Sequence, residues 1–141
     1  MGQHLGELVS ATPDPLDRLR VIVHSIVMGN IALGAPDGAQ SNRRGAALSR
    51  EHLRLAESRP VDLQAALALL LAVITQQLAD GMQAGSIRSA DPGRMATLFY
   101  NLVSSTVHTE LLAEENAEPD RASRSRLAAE IWEFCRRAII V

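Results

Sequence analysis

The chain alternates long helix-period patterns with short polar breaks. From Asp14 the run "DPLDRLRVIVHSIVMGNIALG" sets Leu19, Ile22, Val23, Ile26, Val27 and Ile31 at intervals of three and four, one helical stripe turned towards a core. Asp14 suits an N-cap, Pro15 the first helical position, and Asp17 stands where a capping-box acid reaches back. "GAPDGAQ" then breaks the pattern. The segment Ser41 to Ser58 reads as a polar helix: Arg43, Arg44, Arg50 and Arg54, with Arg59 just beyond, alternate with Glu51 and Glu57, and Leu48 and Leu55 mark a weak inner face. A third helix is predicted from about Pro60 to Ala84. Its middle, "AALALLLAVI", is apolar all round and is expected to be buried on most sides. The fourth, from Asp91-Pro92 to about Glu115, turns Met95, Leu98, Phe99, Leu102, Val103, Thr106 and Val107 inward. The fifth runs from Asp120 to the end on a wide stripe of Leu127, Ala128, Ile131, Phe134, Cys135, Ala138 and Ile139, with Glu133 and Arg137 placed as an i,i+4 ion pair. Leu5, Leu8 and Val9 add a helical stub over residues 3–10. No strand alternation and no fixed-period repeat occurs, so the fold is expected to be all-α: an antiparallel bundle of about five helices plus the stub.

Composition narrows the function. A chain of 141 residues, 47% hydrophobic and 21% charged, forms one ordered domain over 1–141. Its net charge of −2 supplies no basic field for nucleic acid. All 14 basic residues are Arg, and those of the second helix are interleaved with acids, as on a solvated face. The single cysteine, Cys135, precludes an internal disulfide and suits a reducing compartment. "MGQHLGELVS" has no signal-peptide layout, and the longest apolar run, Ala65 to Ile74, is about half a bilayer span. A cytoplasmic protein without a membrane partner is therefore expected.

Catalytic chemistry finds little support. There is no phosphate loop, no paired CxxC, no HExxH and no G-x-S-x-G. A di-iron bundle needs Glu-x-x-His pairs, yet the residues three before His24, His52 and His108 are Val21, Ser49 and Ser105. Ser104 and His108 are i,i+4, but nothing supplies an oriented base and an oxyanion hole. No enzyme activity, metal or cofactor is expected. More informative are polar residues on otherwise apolar helices: His24 and Ser25, Gln76 and Gln77, and the run Tyr100, Asn101, Ser104, Ser105 and His108. Aliphatic walls with a few converging polar groups are how small-molecule pockets are built.

The connector "GMQAGSIRSADP" sits between the two most apolar segments. Gly81 and Gly85 are expected to end the long helix, Gly85 in the left-handed conformation. Ile87 then packs back on the core, Arg88 stays near solvent or caps carbonyls, and Asp91 and Pro92 start the next helix. This pattern, in its order of helices, resembles the C-terminal regulatory domain of the tetracycline-repressor (TetR/AcrR) family of bacterial transcription regulators, over nearly the whole chain. The resemblance implies a ligand-binding core over 14–90, dimerisation helices over 91–141, and a remnant of a linking helix over 1–10. It implies a small hydrophobic effector in a pocket, here assigned to His24, Met28, Gln76, Tyr100, Asn101, Ser104 and His108, with an aliphatic or acyl-bearing ligand favoured by the scarcity of aromatics. It also implies a homodimer, here assigned to Phe99, Leu102, Val103, Thr106, Ile131, Trp132, Cys135 and Ile139. DNA is contacted in such proteins by an N-terminal helix-turn-helix, which these residues do not contain. The alternative is a stand-alone helical dimer acting as a small-molecule-binding or antagonist partner protein.

Overall fold

A computed structural model describes residues 14–28, 42–114, 116 and 120–141, with the side chains at 42–46 and 48 excepted. The expected stub over residues 3–10, the place of Ile31, the break at "GAPDGAQ" and the side chains of Arg43, Arg44 and Leu48 lie outside the described residues. Among the described residues, five helices follow in order: α1 Pro15–Val27, α2 Asn42–Ser58, α3 Pro60–Ala84, α4 Pro92–Ala113 and α5 Arg121–Ile139.

Helix α1 is short and central. The Asp14 side chain accepts from the Leu16 backbone N–H at 3.1 Å, satisfying one of the donors that a helix start leaves open. Leu19, Ile22, Val23, Ile26 and Val27 are all sealed from solvent. Helices α3, α4 and α5 each pack against α1, while α4 also packs against α3 and α2. The core thus forms where the α1 stripe meets Leu70, Ile74 and Leu78 of α3, Phe99, Val103 and Val107 of α4, and Ala128, Ile131 and Cys135 of α5.

Helix α3 differs from its sequence reading. Leu70, Ile74, Gln77, Leu78 and Gly81 form a narrow buried face, whereas Val61 and Leu69 are 76% and 77% exposed. The all-round apolar composition disguises a one-sided helix, because alanine and leucine occupy outward positions as readily as inward ones. At 25 residues and a mean hydropathy of 1.6 over its most apolar window, α3 is also long and apolar enough to cross a membrane. A helix of a bundle core meets the same measure, and α3 lies against α1, α2 and α4.

The turn after α3 behaves as its glycines predict. Gly85 has φ 83°, and the backbone N–H groups of Gly85 and Ser86 donate to the carbonyls of Met82 and Gly81 at 3.2 and 3.0 Å. That is a Schellman closure, which satisfies the last carbonyls of the helix. Ile87 then folds back onto Gly81 so closely that a Cβ there would lie 2.3 Å from Ile87 Cδ1 and 2.7 Å from Cγ1. Arg88 takes the capping role: its backbone N–H donates to Ile139 O and its Nε to Ala138 O, both at 2.8 Å, at the carbonyl end of α5. An antiparallel bridge between Ile87 and Ile140 completes the joint. Asp91 occupies the N-cap position of α4 without a side-chain cap bond, whereas Asp120 accepts from Ala122 and Ser123 at the start of α5.

Replacing Gly81 by Ala relieves helix entropy by about 1 kcal/mol but drives a methyl group into buried Ile87. The expected net outcome is a loss of about 1–2 kcal/mol in urea denaturation. Gly81→Ala combined with Ile87→Ala is expected to cost less than the sum of the two, because the new methyl enters the space Ile87 leaves.

Candidate functional site

A cavity of about 530 Å³, within the usual range for small-molecule sites, opens between α2, α3 and α4. Its construction follows from helical spacing. Leu63, Leu67 and Leu71 recur every four residues on α3 and make one apolar wall, flanked by Pro60 and Gln64. Facing them, α4 contributes two adjacent stripes at the same spacing, Thr97, Asn101 and Ser105 beside Tyr100, Ser104 and His108. Helix α2 adds His52, Leu53 and Ala56. One wall is hydrocarbon, the other almost wholly polar.

The polar wall is not saturated. Thr97 donates back to Gly93 O at 3.2 Å within its own helix. Tyr100 is 3% exposed and its hydroxyl has no hydrogen-bond partner. Burial pushes that hydroxyl above its ordinary pKa; Ser104 is near enough to oppose the rise without completing a hydrogen bond. His108 is also 3% exposed. Its Nδ1 shares a 2.8 Å hydrogen bond with the hydroxyl of fully buried Ser49, while Nε2 has no partner. The His52 ring lies 4.5 Å away, centroid to centroid, at 38°. Burial, with the neighbouring His52 adding to it, depresses the His108 pKa to about 4, and burial lowers His52 as well. Two buried polar atoms without partners are costly, about 1–3 kcal/mol each, and call for an explanation. Ser49 does not line the cavity, so its contact with His108 orients the ring rather than presenting a nucleophile. Among the described residues, no three His, Cys, Asp or Glu side chains gather as a metal site.

Of the residues assigned to a pocket from sequence, Tyr100, Asn101, Ser104 and His108 line this cavity. His24, Met28 and Gln76 are not among its lining residues. His24 Nδ1 donates to Arg20 O at 3.0 Å, Met28 is the C-cap of α1, and exposed Gln76 donates to Asp80 at 2.9 Å. Gln77 faces inward and accepts from Arg18 at 3.3 Å. The α2 contribution of His52, Leu53 and Ala56 went unread, because the arginines and glutamates of α2 dominate its pattern. The leucine wall went unread because it is submerged in a uniformly apolar stretch. A period-four search for Leu63, Leu67 and Leu71 opposite the α4 stripes is the signal that finds both walls together.

The residues assigned to a subunit contact divide differently. Phe99, Val103, Ile131, Trp132, Cys135 and Ile139 are buried within this chain's own core. Thr106 is half-buried and donates to Leu102 O. Leu102 is 37% exposed, and the larger exposed apolar side chains of α4 and α5 are Leu98 and Phe134, at 56% and 64%. On α5, Glu133 bonds both Arg136 and Arg137 at 2.7 Å, and these guanidinium groups hold its carboxyl down at about 2. The i,i+4 pair expected from sequence is therefore present, and Arg136 adds a second.

The chain is thus an all-α domain whose long helix α3 ends in a Schellman turn and whose cavity lies between α2, α3 and α4. The family model of the AefR-like transcriptional repressor C-terminal domain matches residues 45–137, well over half of the chain and including every residue that lines the cavity. The chain belongs to that family of TetR C-terminal domains. No curated protein matches it in sequence.

The histidines make stability depend on pH in a definite direction. A histidine whose folded pKa lies below its unfolded value binds more protons when unfolded, so stability falls as pH drops through that interval. For His108 the interval runs from 6.5 to about 4. Each unit carries about 1.4 kcal/mol before screening by water in the open cavity, so a loss on the order of 2 kcal/mol is expected between pH 6.5 and 4. Urea denaturation of the wild type and of His108→Gln checks this: the variant is expected to lose most of that part of the slope.

Proposed function

We propose that this chain is the effector-sensing and dimerising domain of a TetR-like transcriptional regulator, and that the cavity between α2, α3 and α4 is its effector site. One observation carries the reading: a leucine wall faces a polar wall in which Tyr100 Oη and His108 Nε2 are buried without partners. Such groups destabilise the empty domain and gain on binding, which is how a ligand site differs from a settled core. Asn101 and Ser104 complete the polar side, and Leu63, Leu67 and Leu71 hold the apolar body of the ligand.

Helix α4 links the site to a subunit contact. Its cavity sector carries Tyr100, Ser104 and His108, its core sector Phe99, Val103 and Val107, and its outer sector Leu98 and Leu102. A second copy pairing over the outer sector of α4 and Phe134 of α5 buries side chains that are otherwise wet, in a two-fold arrangement that brings each patch against its own copy. An effector that favours one placement of α4 then changes the spacing between subunits, and with it the fit of a helix-turn-helix pair whose recognition helices must stand about 34–36 Å apart on DNA.

A thermal-shift screen of small apolar compounds tests the site. At a hundredfold excess over Kd, a true effector is expected to raise Tm by roughly 5–10 °C, and Leu67→Trp, which sets an indole into the middle of the leucine wall, is expected to lower that rise. A rise that the substitution leaves unchanged counts against the cavity. Light scattering tests the pairing: a dimer is expected for the wild type and a helical monomer for Leu102→Glu with Phe134→Glu. A monomeric wild type at micromolar concentration refutes the subunit contact.

A further inference from the structure

We infer that the ligand of this cavity is an uncharged, mainly aliphatic molecule whose neutral oxygen functions hydrogen-bond to Tyr100 Oη and His108 Nε2. This rests on reading the cavity as the effector site, and it adds the chemical class of the occupant.

The charge inventory of the walls is the starting point. Among the described residues, the 14 that line the cavity include no arginine, aspartate or glutamate, in a chain rich in all three. The ionisable groups that do line the cavity are His52, His108 and Tyr100. Burial moves each of them towards its uncharged form: both histidines downward and the tyrosine upward. At neutral pH the walls formed by the described residues are therefore polar but uncharged. A carboxylate or phosphate brought into it leaves water without gaining a counter-charge, and an ammonium group fares the same; isolated charges are the most costly groups to desolvate. A neutral ketone, ester, amide or alcohol loses far less and finds hydrogen-bonding groups waiting.

The two unpartnered atoms place the polar contacts. Tyr100 and His108 stand eight residues apart on one face of α4, about 12 Å along the helix axis, with Ser104 between them. Tyr100 Oη donates or accepts. His108 Nε2 takes the role complementary to Nδ1, which Ser49 holds at 2.8 Å, so Ser49 sets the tautomer that the ligand meets. Opposite, Leu63, Leu67 and Leu71 extend over the same number of residues and offer no polar group. An elongated molecule with hydrocarbon against α3 and oxygen against α4 satisfies both walls. The volume of about 530 Å³ admits on the order of fifteen heavy atoms.

A matched series with a function at each end tests the class: dimethyl decanedioate, dodecane-2,11-dione, decanedioic acid and decane-1,10-diamine, titrated calorimetrically into the wild-type chain at pH 7.5. The ester and ketone are expected to bind, and the acid and amine to bind at least tenfold more weakly. Tyr100→Phe is expected to weaken the ester three- to tenfold. The same substitution removes a buried hydroxyl that lacks a partner, so the Tm of the free protein is expected to stay level or rise, an outcome no structural role for the hydroxyl produces. Acid or amine binding as tightly as the ester overturns the inference, as does an absence of binding by both neutral probes or a lowered Tm in Tyr100→Phe. In each of these the cavity can still be the effector site. Ester binding that Leu67→Trp leaves unchanged is the separate result that removes the cavity itself.

Discussion

The seating of Ile87 on the bare Cα of Gly81 is the contact on which the rest of the arrangement depends. The long helix α3 must end, reverse and hand over to α4 within a few residues, and the reversal is tight because nothing projects from Gly81. Gly85 alone would end the helix, since its positive φ closes the Schellman turn. It would not fix where the chain goes next. Ile87, 2% exposed, anchors that direction, and the same two residues that carry it, Ile87 and Arg88, bind the carbonyl end of α5 through a backbone bridge and a guanidinium cap. One joint thus sets the angle of α4 to α3, which defines the cavity, and locks the end of α5 against it.

Much of this was legible in the sequence because it rests on local chemistry. The helix boundaries follow from Asp14-Pro15, Pro60, Asp91-Pro92 and Asp120, residues whose backbone preferences act without knowledge of the fold. The role of Gly85 follows from its lack of a Cβ. The side on which each residue lies was legible only where a stripe is unambiguous, as in α1. In the middle of α3, from Ala65 to Ile74, every position is apolar, so periodicity carries no phase there, and an expectation of burial on most sides gave way to a narrow buried face. The same loss of contrast affects α4 and α5. Phe99, Val103, Ile131 and Trp132 are as fit for a chain's own core as for a partner, and the structure places them in the core, leaving Leu98, Leu102 and Phe134 outside.

The cavity shows a second kind of illegibility. The polar residues of α4 stood out because they interrupt an apolar helix, and Tyr100, Asn101, Ser104 and His108 do meet at one place. His24 and Gln76 interrupt apolar helices just as plainly and end in local bonds, His24 to Arg20 one turn back and Gln76 to Asp80 one turn ahead. A polar residue on a greasy helix marks either a site or a helix side that reaches water. What separates them is the neighbouring helix, and that is tertiary information. Ser49 is the sharpest instance: it sits on the most polar helix of the chain, and it is wholly buried against His108.

The unsatisfied atoms of the polar wall bear on why the cavity persists at all. Apolar residues at positions 100 and 108 would close the space between α3 and α4 with better packing, as Val103 and Val107 do one face away. Keeping a tyrosine and a histidine there leaves two buried groups without partners, and the empty domain is less stable for it. The Ser49 contact sharpens the point, since it satisfies one nitrogen of His108 and aligns the ring so that the other remains open. A core selected only for stability has no use for an imidazole oriented by one hydroxyl and left bare on its second nitrogen. Helix α4 carries the cavity on one sector and the exposed Leu98 and Leu102 on another, so the two surfaces share one rigid element.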